Sequence, residues 1–324
     1  MALLSVENLS VVYQTRTGPF TAVDQVSFDL EAGQSLGIVG ESGCGKTTVG
    51  MSLMRLLPKN GRVAAGRIKF GGTDLLGLSD PSMQAIRWKQ ISMIFQAAMN
   101  AWNPVQRVGD QIIEAIRTHH PETSKKEAAS QVAKLYEAVD IPQDRIFDYP
   151  HEYSGGMKQR AIIAMALCCD PALIIADEPT TALDVIVQDQ IIRKLKSIQT
   201  ERNIAVVFIS HDIGVVAEVC HAIMVMYKGR VVEAGRREEV FGAPAHPYTK
   251  ALLSSYLTID GVMELETDFG KPADRAAGRR AEDLPCGICG YFRNCWQADA
   301  ACGQSPPQWR ELSSTHKVLC HGCG

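Results

Sequence analysis

Short β-branched and apolar runs alternate along most of the chain with longer stretches of helical composition, which predicts an α/β domain. LLSVENLSVVY (3–13) and QVSFDL (25–30) predict strands, and SLGIVG (35–40) predicts a buried one. TTVGMSLMRLL (47–57) has helical composition and is expected to stop at Pro58. ALIIAD (172–177) and IAVVFIS (204–210) are apolar at almost every position, as central parallel strands are. IMVMYKG and RVVEAG (223–235) predict two further short strands. The clearest amphipathic helix is SKKEAASQVAKLYEAVD (124–140): Ser124 and Glu127 are spaced as a capping box, and Ala128, Val132, Leu135 and Val139 line one face. That stripe predicts packing. From about 268 to 285, DFGKPADRAAGRRAEDLP loses apolar periodicity and reads as a polar linker. No segment repeats at a fixed period.

Composition adds limits. The chain has 324 residues, 46% hydrophobic and 21% charged, enough for one large domain with an appendage. Its 33 basic and 36 acidic side chains give a net charge of -3, so no basic surface points to nucleic acid. MALLSVENLSVVY lacks the basic start and long apolar run of a signal peptide. AIIAMALCC (161–169) and IAVVFIS fall short of the roughly 20 residues of a membrane span. The expectation is a soluble or peripheral chain that stays in the cytosol. Six of the ten cysteines lie in the last 39 positions, and in a reducing compartment such a cluster argues for metal or cofactor before disulfides.

Candidate chemistry starts at GESGCGKT (40–47), which sits between a predicted strand and a predicted helix and fits G-x-x-x-x-G-K-[ST]. Glycines let backbone N–H groups wrap an anion, and the helix start adds partial positive charge. Gly40, Glu41, Ser42, Gly43, Cys44, Gly45, Lys46, Thr47 and Thr48 form the expected phosphate cradle. Lys46 is expected to reach the β- and γ-phosphates and Thr47 to hold Mg²⁺, while Cys44 is a small residue that fits. ALIIADEP (172–179) delivers Asp177 and Glu178 at the end of a buried strand, where ligands sit in open α/β sheets. Asp177 is expected to steady the metal and Glu178 to polarise the attacking water. In YSGGMKQR (153–160), two glycines open a helix after Ser154. An ordinary N-cap explains that segment when it is taken alone. A second anion-seeking helix end beside one nucleotide site instead suggests a phosphate site completed by another subunit.

Taken in order, Tyr13, GESGCGKTT, Gln96 in IFQ, YSGGMKQ, LIIADEP, Ala182-Leu183-Asp184 and His211 resemble the ATPase subunit of an ATP-binding cassette (ABC) transporter over about residues 3 to 256. The resemblance implies a P-loop fold with a RecA-like core, an antiparallel β-subdomain and a helical subdomain at about 97–170, within an ATPase domain of 1–243. It implies that Tyr13 stacks on adenine, Gln96 senses metal and the transmembrane partner, and His211 contacts the γ-phosphate. Ser154, Gly155 and Gly156 would face the ATP of a second, paralogous ATPase subunit in a head-to-tail dimer, and Asp184 would lie in the loop crossing that interface. Two membrane permease subunits and, indirectly, an extracytoplasmic solute-binding protein are the implied partners, at the cytoplasmic face of the membrane. Tyr153 stands where the family usually has Leu, and is expected to pack without touching phosphate.

NPVQRVGDQI (103–112) and HPYTKALLSS (246–255) resemble the branch serving dipeptide, oligopeptide and nickel uptake. The expected domains are then 1–243, an HPY segment with linker at 244–285, and a cysteine-rich extension at 286–324. That branch implies a C-terminal iron–sulfur cluster, with Cys289, Cys295, Cys302 and Cys320 as ligands of a [4Fe–4S] centre. The rival is zinc on the CxxC pairs Cys286/Cys289 and Cys320/Cys323; free thiols are a third reading. His321 is expected to be a neighbour, and Cys168, Cys169 and Cys220 to be core. The expected function is ATP hydrolysis powering peptide import, with nickel or oligosaccharide import as the alternative. A soluble ABC ATPase of DNA repair or translation is the reading from another class.

Overall fold

The computed structural model describes residues 2–96, 101–181, 183–260 and 289–322. The chain begins with β1 (Leu4–Thr15) and β2 (Gly18–Leu30), an antiparallel hairpin pairing Leu4 with Leu30. After β3 (Ser35–Val39) and α1 (Lys46–Leu53), β4 (Gly61–Phe70) runs back along β1, with β5 (Thr73–Asp74) at its edge. These strands make a four-stranded sheet of order β2-β1-β4-β5. Next come α2 (Asp80–Ile86), β6 (Ile91–Ile94) and three helices, α3 (Val108–His119), α4 (Lys125–Ala138) and α5 (Gly155–Leu167). Then β7 (Leu173–Asp177), α6 (Val185–Arg202), β8 (Ala205–Ser210), α7 (Ile213–Val219) and β9 (Ala222–Tyr227) alternate. The chain closes with β10 (Arg230–Arg236), α8 (Arg237–Gly242), α9 (Pro247–Asp260), β11 (Trp309–Glu311) and β12 (Lys317–Leu319).

Among the described residues the main sheet has eight strands in the order β11-β12-β10-β9-β3-β8-β7-β6. Strands β9, β3, β8, β7 and β6 are mutually parallel, and β3, β7 and β8 are buried along their whole length. Their unbroken apolar runs leave no polar face, so helices and the second sheet must cover both sides. One core, with Leu9, Ile38, Ile175 and Ile209, lies between the two sheets; the other, with Tyr136, Leu167 and Phe208, lies under the helices. Register fixes the site: Val39 pairs with Ser210 and Asp177 with Ile209, so three strand ends and the loops after them converge on one edge.

Several sequence expectations change in detail. QVSFDL is the end of a strand that starts at Gly18. The first helix stops at Leu53, before Pro58, because Arg55 takes a left-handed φ of 50° and its guanidinium donates to the carbonyls of Leu75 and Leu78. The capping box at Ser124 and Glu127 is complete, and Ala128, Val132, Leu135 and Val139 are buried. In the tail, β12 pairs with β10, Glu233 opposite Val318, and extends the main sheet. Ala182, Cys286, Cys323 and the linker at 268–285 lie outside the described residues.

Candidate functional site

The loop from Gly40 leaves β3 and turns into α1. A Cβ at Gly40, whose φ is 150°, would lie 2.2 Å from the Met226 carbonyl oxygen, and one at Gly45, φ 106°, would lie 2.4 Å from that of Ala22. Only glycine lets the backbone pass there. Lys46 is buried and curls over the loop, its Nζ donating to the carbonyls of Gly40 (2.7 Å) and Glu41 (2.9 Å). Glu41, Ser42 and Gly43 form the exposed crest, whereas Cys44 is buried, and burial pushes its thiol up. Tyr13 reaches the same place from β1, its hydroxyl 3.3 Å from the Thr48 hydroxyl.

Two adjacent carboxylates face this loop in different environments. Asp177 is 1% exposed and accepts a hydrogen bond from Thr47 Oγ1 at 3.1 Å. Burial pushes its carboxyl up to about 6, against the opposing effect of that bond. Glu178 accepts from Gln96 Nε2 (2.9 Å), Thr181 Oγ1 (3.0 Å) and His211 Nδ1 (3.1 Å). Burial alone would raise its carboxyl; the bonds from His211 and Thr181 outweigh burial and hold it below the ordinary carboxylate range. Glu178 is therefore ionised at neutral pH and able to take a proton from water. Its φ of 47° is a strained setting for a side chain with a Cβ, kept where loop and strand end over-determine it. Thr181 was absent from the sequence-based set; its signal is the second threonine of EPTT, three positions after Glu178.

Ser154 caps α5, its hydroxyl accepting from the Met157 N–H at 3.2 Å, and Gly155 and Gly156 form the first turn. A Cβ on Gly156 would lie 2.8 Å from Val187 Cγ1, so the small residue lets α5 approach the start of α6. That start is capped by Asp184, which accepts from the Val187 N–H at 2.9 Å. Tyr153 is buried, and its hydroxyl lies 2.9 Å from that of Tyr136 and donates to the Arg145 carbonyl. It packs, as its apolar ring predicts.

In the tail, Cys302 and Cys320 are buried, Cys289 and Cys295 are half-buried, and none of the four is in a disulfide. Burial pushes Cys295 up to about 11, and the neighbouring Cys320 and Cys289 add to the effect. Cys302 is likewise pushed up to about 11, mainly by burial, with Cys289 contributing. The four side chains thus share one electrostatic neighbourhood. Among the described residues, however, no group of three or more His, Cys, Asp or Glu is arranged to hold a metal ion, so the geometry by itself supports no cluster. His321 Nε2 lies 2.9 Å from the Ser305 carbonyl oxygen, the position of a neighbour. Cys168, Cys169 and Cys220 are buried in the core, as expected.

A glycine loop with a buried lysine, a threonine on an aspartate and a polar-ringed glutamate, at the ends of parallel strands, define a P-loop nucleotide-hydrolysing cassette. Residues 23–181 match the ABC transporter family, and residues 232–302 match the C-terminal region of oligopeptide/dipeptide transporters. The chain is 44% identical over 322 residues to the dipeptide transport ATP-binding protein DppD of Bacillus subtilis (strain 168), covering 98% of this chain and 94% of that one. It is 44% identical over 308 residues to the oligopeptide transport ATP-binding protein OppD of Salmonella typhimurium (strain LT2), covering 94% of this chain and 89% of that one. In fold alone it is similar to cbiO1 of Clostridium perfringens, part of the ABC transporter complex cbiONQ. That likeness has a TM-score of 0.66 at 24% identity, over 80% of this chain and 95% of the other. The chain belongs to the ATP-binding subunits of ABC transporters, in the oligopeptide/dipeptide importer family. It is an ATPase subunit.

Proposed function

We propose that this chain hydrolyses ATP to power import of di- or oligopeptides through two membrane permease subunits. The observation that carries the reading is Glu178, one residue beyond the Asp177 that Thr47 touches and bonded to Gln96, Thr181 and His211. The names of the relatives, dipeptide and oligopeptide transport ATP-binding proteins, supply the solute class.

In this reading, ATP phosphates replace the loop carbonyls as partners of Lys46, while loop N–H groups surround the β-phosphate and Tyr13 stacks on adenine. Thr47, Asp177 and Gln96 are the residues that fit Mg²⁺, which would neutralise charge on the β- and γ-phosphates. Glu178 takes a proton from the water that attacks the γ-phosphorus, ADP leaves, and His211 steadies the transferred group. Ser154, Gly155 and Gly156 close on the ATP of a second ATPase subunit, with Asp184 near the same interface. Exposed Val185 and Ile186, just beyond Asp184, support a surface that is covered in the dimer. Among the described residues no helix is long and apolar enough to cross a membrane, and the proposed location is the cytoplasmic face, docked on the permease near Gln96 and the exposed Phe95.

The proposal keeps three regions, with the ATPase domain at 1–243, the HPY segment and linker at 244–285, and the cysteine extension at 286–324. Cys289, Cys295, Cys302 and Cys320 are proposed to hold a [4Fe–4S] cluster on the chemistry of four thiol donors alone, since among the described residues none are grouped to hold a metal ion. Iron and acid-labile sulfide analysis of anaerobically purified protein tests this; zinc without iron overturns it. For the function, the chain reconstituted with its permease and binding protein in liposomes is expected to drive ATP-dependent uptake of labelled di- or oligopeptides. Uptake of nickel or an oligosaccharide without peptide uptake would contradict the solute class.

A further inference from the structure

The Glu41 N–H, on the rim of the phosphate loop, donates to the hydroxyl of Tyr248 at 2.9 Å, across 207 positions of sequence. The Glu41 carbonyl is one of the two that hold Lys46, so Glu41 is fixed from both sides. Tyr248 is buried, and burial pushes its phenol up, so the hydroxyl keeps its proton. Its ring packs against Tyr227, centroids 4.7 Å apart, and edge-on against Tyr291 at 5.5 Å. Tyr291 belongs to the cysteine-bearing lobe and lies two residues after Cys289.

A second connection fixes the turn that carries Tyr248. The fully buried Glu233 carboxylate accepts from the N–H groups of Ala245 (2.8 Å) and His246 (2.9 Å). It also takes a 2.7 Å bond from His316 Nε2, in the last part of the chain. His246 Nδ1 in turn accepts from the Tyr248 N–H at 3.0 Å. The lobe therefore grips the Tyr248 turn at two points, through Tyr291 on the ring and through His316 and Glu233 on the backbone.

We propose that Tyr248 is a positioning residue for the ATP site, holding the Glu41 end of the phosphate loop in a place set by the cysteine-bearing lobe. It touches no nucleotide and acts through the loop. This rests on the reading of Gly40–Thr47 as the ATP loop. The test is binding of trinitrophenyl-ATP to the full chain, with ATPase kinetics of the assembled complex. Tyr248→Phe keeps the ring and deletes the hydroxyl, and is expected to raise Kd and KM about three- to ten-fold, as loss of one neutral hydrogen bond does. It should leave kcat within about two-fold, with the thermal midpoint lowered by no more than about 4 °C, as loss of one hydrogen bond from the fold does. Tyr291→Leu, made from the lobe side, should weaken binding in the same direction and add little in the Tyr248→Phe background. Wild-type Kd in Tyr248→Phe, a fall in kcat at unchanged KM, or additive effects of the two substitutions would overturn the proposal. Failure of the wild-type chain to bind the analogue would instead overturn the ATP-site reading itself.

Discussion

Glu178 and Asp177 are neighbours in sequence with opposite electrostatics, and the difference sets what each does. Glu178 collects three side-chain donors and stays ionised; Asp177 has Thr47 and is otherwise enclosed. In the metal-free chain, burial raises Asp177 from an ordinary 3.8 to about 6. The folded state then binds that proton more tightly than the unfolded state. The stabilisation is full below pH ~4 and is lost as pH rises through about 6. Asp177→Asn is accordingly expected to stabilise the metal-free protein at pH 7.5, by on the order of 3 kcal/mol at most, with the gain vanishing near pH 4. Thermal unfolding at the two pH values checks this; equal effects at both would contradict it. Lys46→Ala should lower ATP affinity at least ~100-fold, because the buried cation held over the phosphate loop, and its charge-assisted bonds to phosphate, are lost. Equilibrium binding of a fluorescent ATP analogue measures it, and wild-type affinity would sink the assignment.

At the scale of elements, local signals were legible and long-range ones were not. Ser124 and Glu127 cap α4 because the motif needs only four consecutive residues. Ser124→Ala is expected to cost about 1 kcal/mol of stability with ATP turnover unchanged, checked by denaturant unfolding beside phosphate release. Strands β3, β7 and β8 were readable from their unbroken apolar runs, and with them the loops at Gly40 and Glu178. Strand β4 was missed because its middle is small and exposed, with Gly66 at a φ of 103° beside the backbone of Asn8 and Leu9. The long helix α6 was missed because its first turn exposes Val185 and Ile186, and its buried stripe begins only at Ile191. Nothing local announces that β12 will pair with β10 or that Tyr248 will meet Glu41, since partners so far apart leave no mark in either segment.

Over the whole molecule, the sheet joins the catalytic edge to the tail. Strand β10 lies between β9 and β12, and carries Glu233 inward to three donors. Glu233→Ala would leave those buried donors without their acceptor, with an expected loss of about 3–5 kcal/mol. The thermal midpoint reports it; an unchanged midpoint would show that the tail is not tied to the core in this way. The ATP site is likewise a product of the whole fold. Strand register brings Val39, Asp177 and Ser210 to one edge, and Gln96 arrives from beyond β6.

The most direct test of that account is single-turnover phosphate release by the assembled transporter carrying Glu178→Gln. The side chain keeps its size and loses its capacity to accept a proton from water, so ATP should stay bound while phosphate release falls about 10²- to 10⁴-fold. Release at the wild-type rate would mean that another group activates the water, and the mechanism built on Glu178 would be wrong.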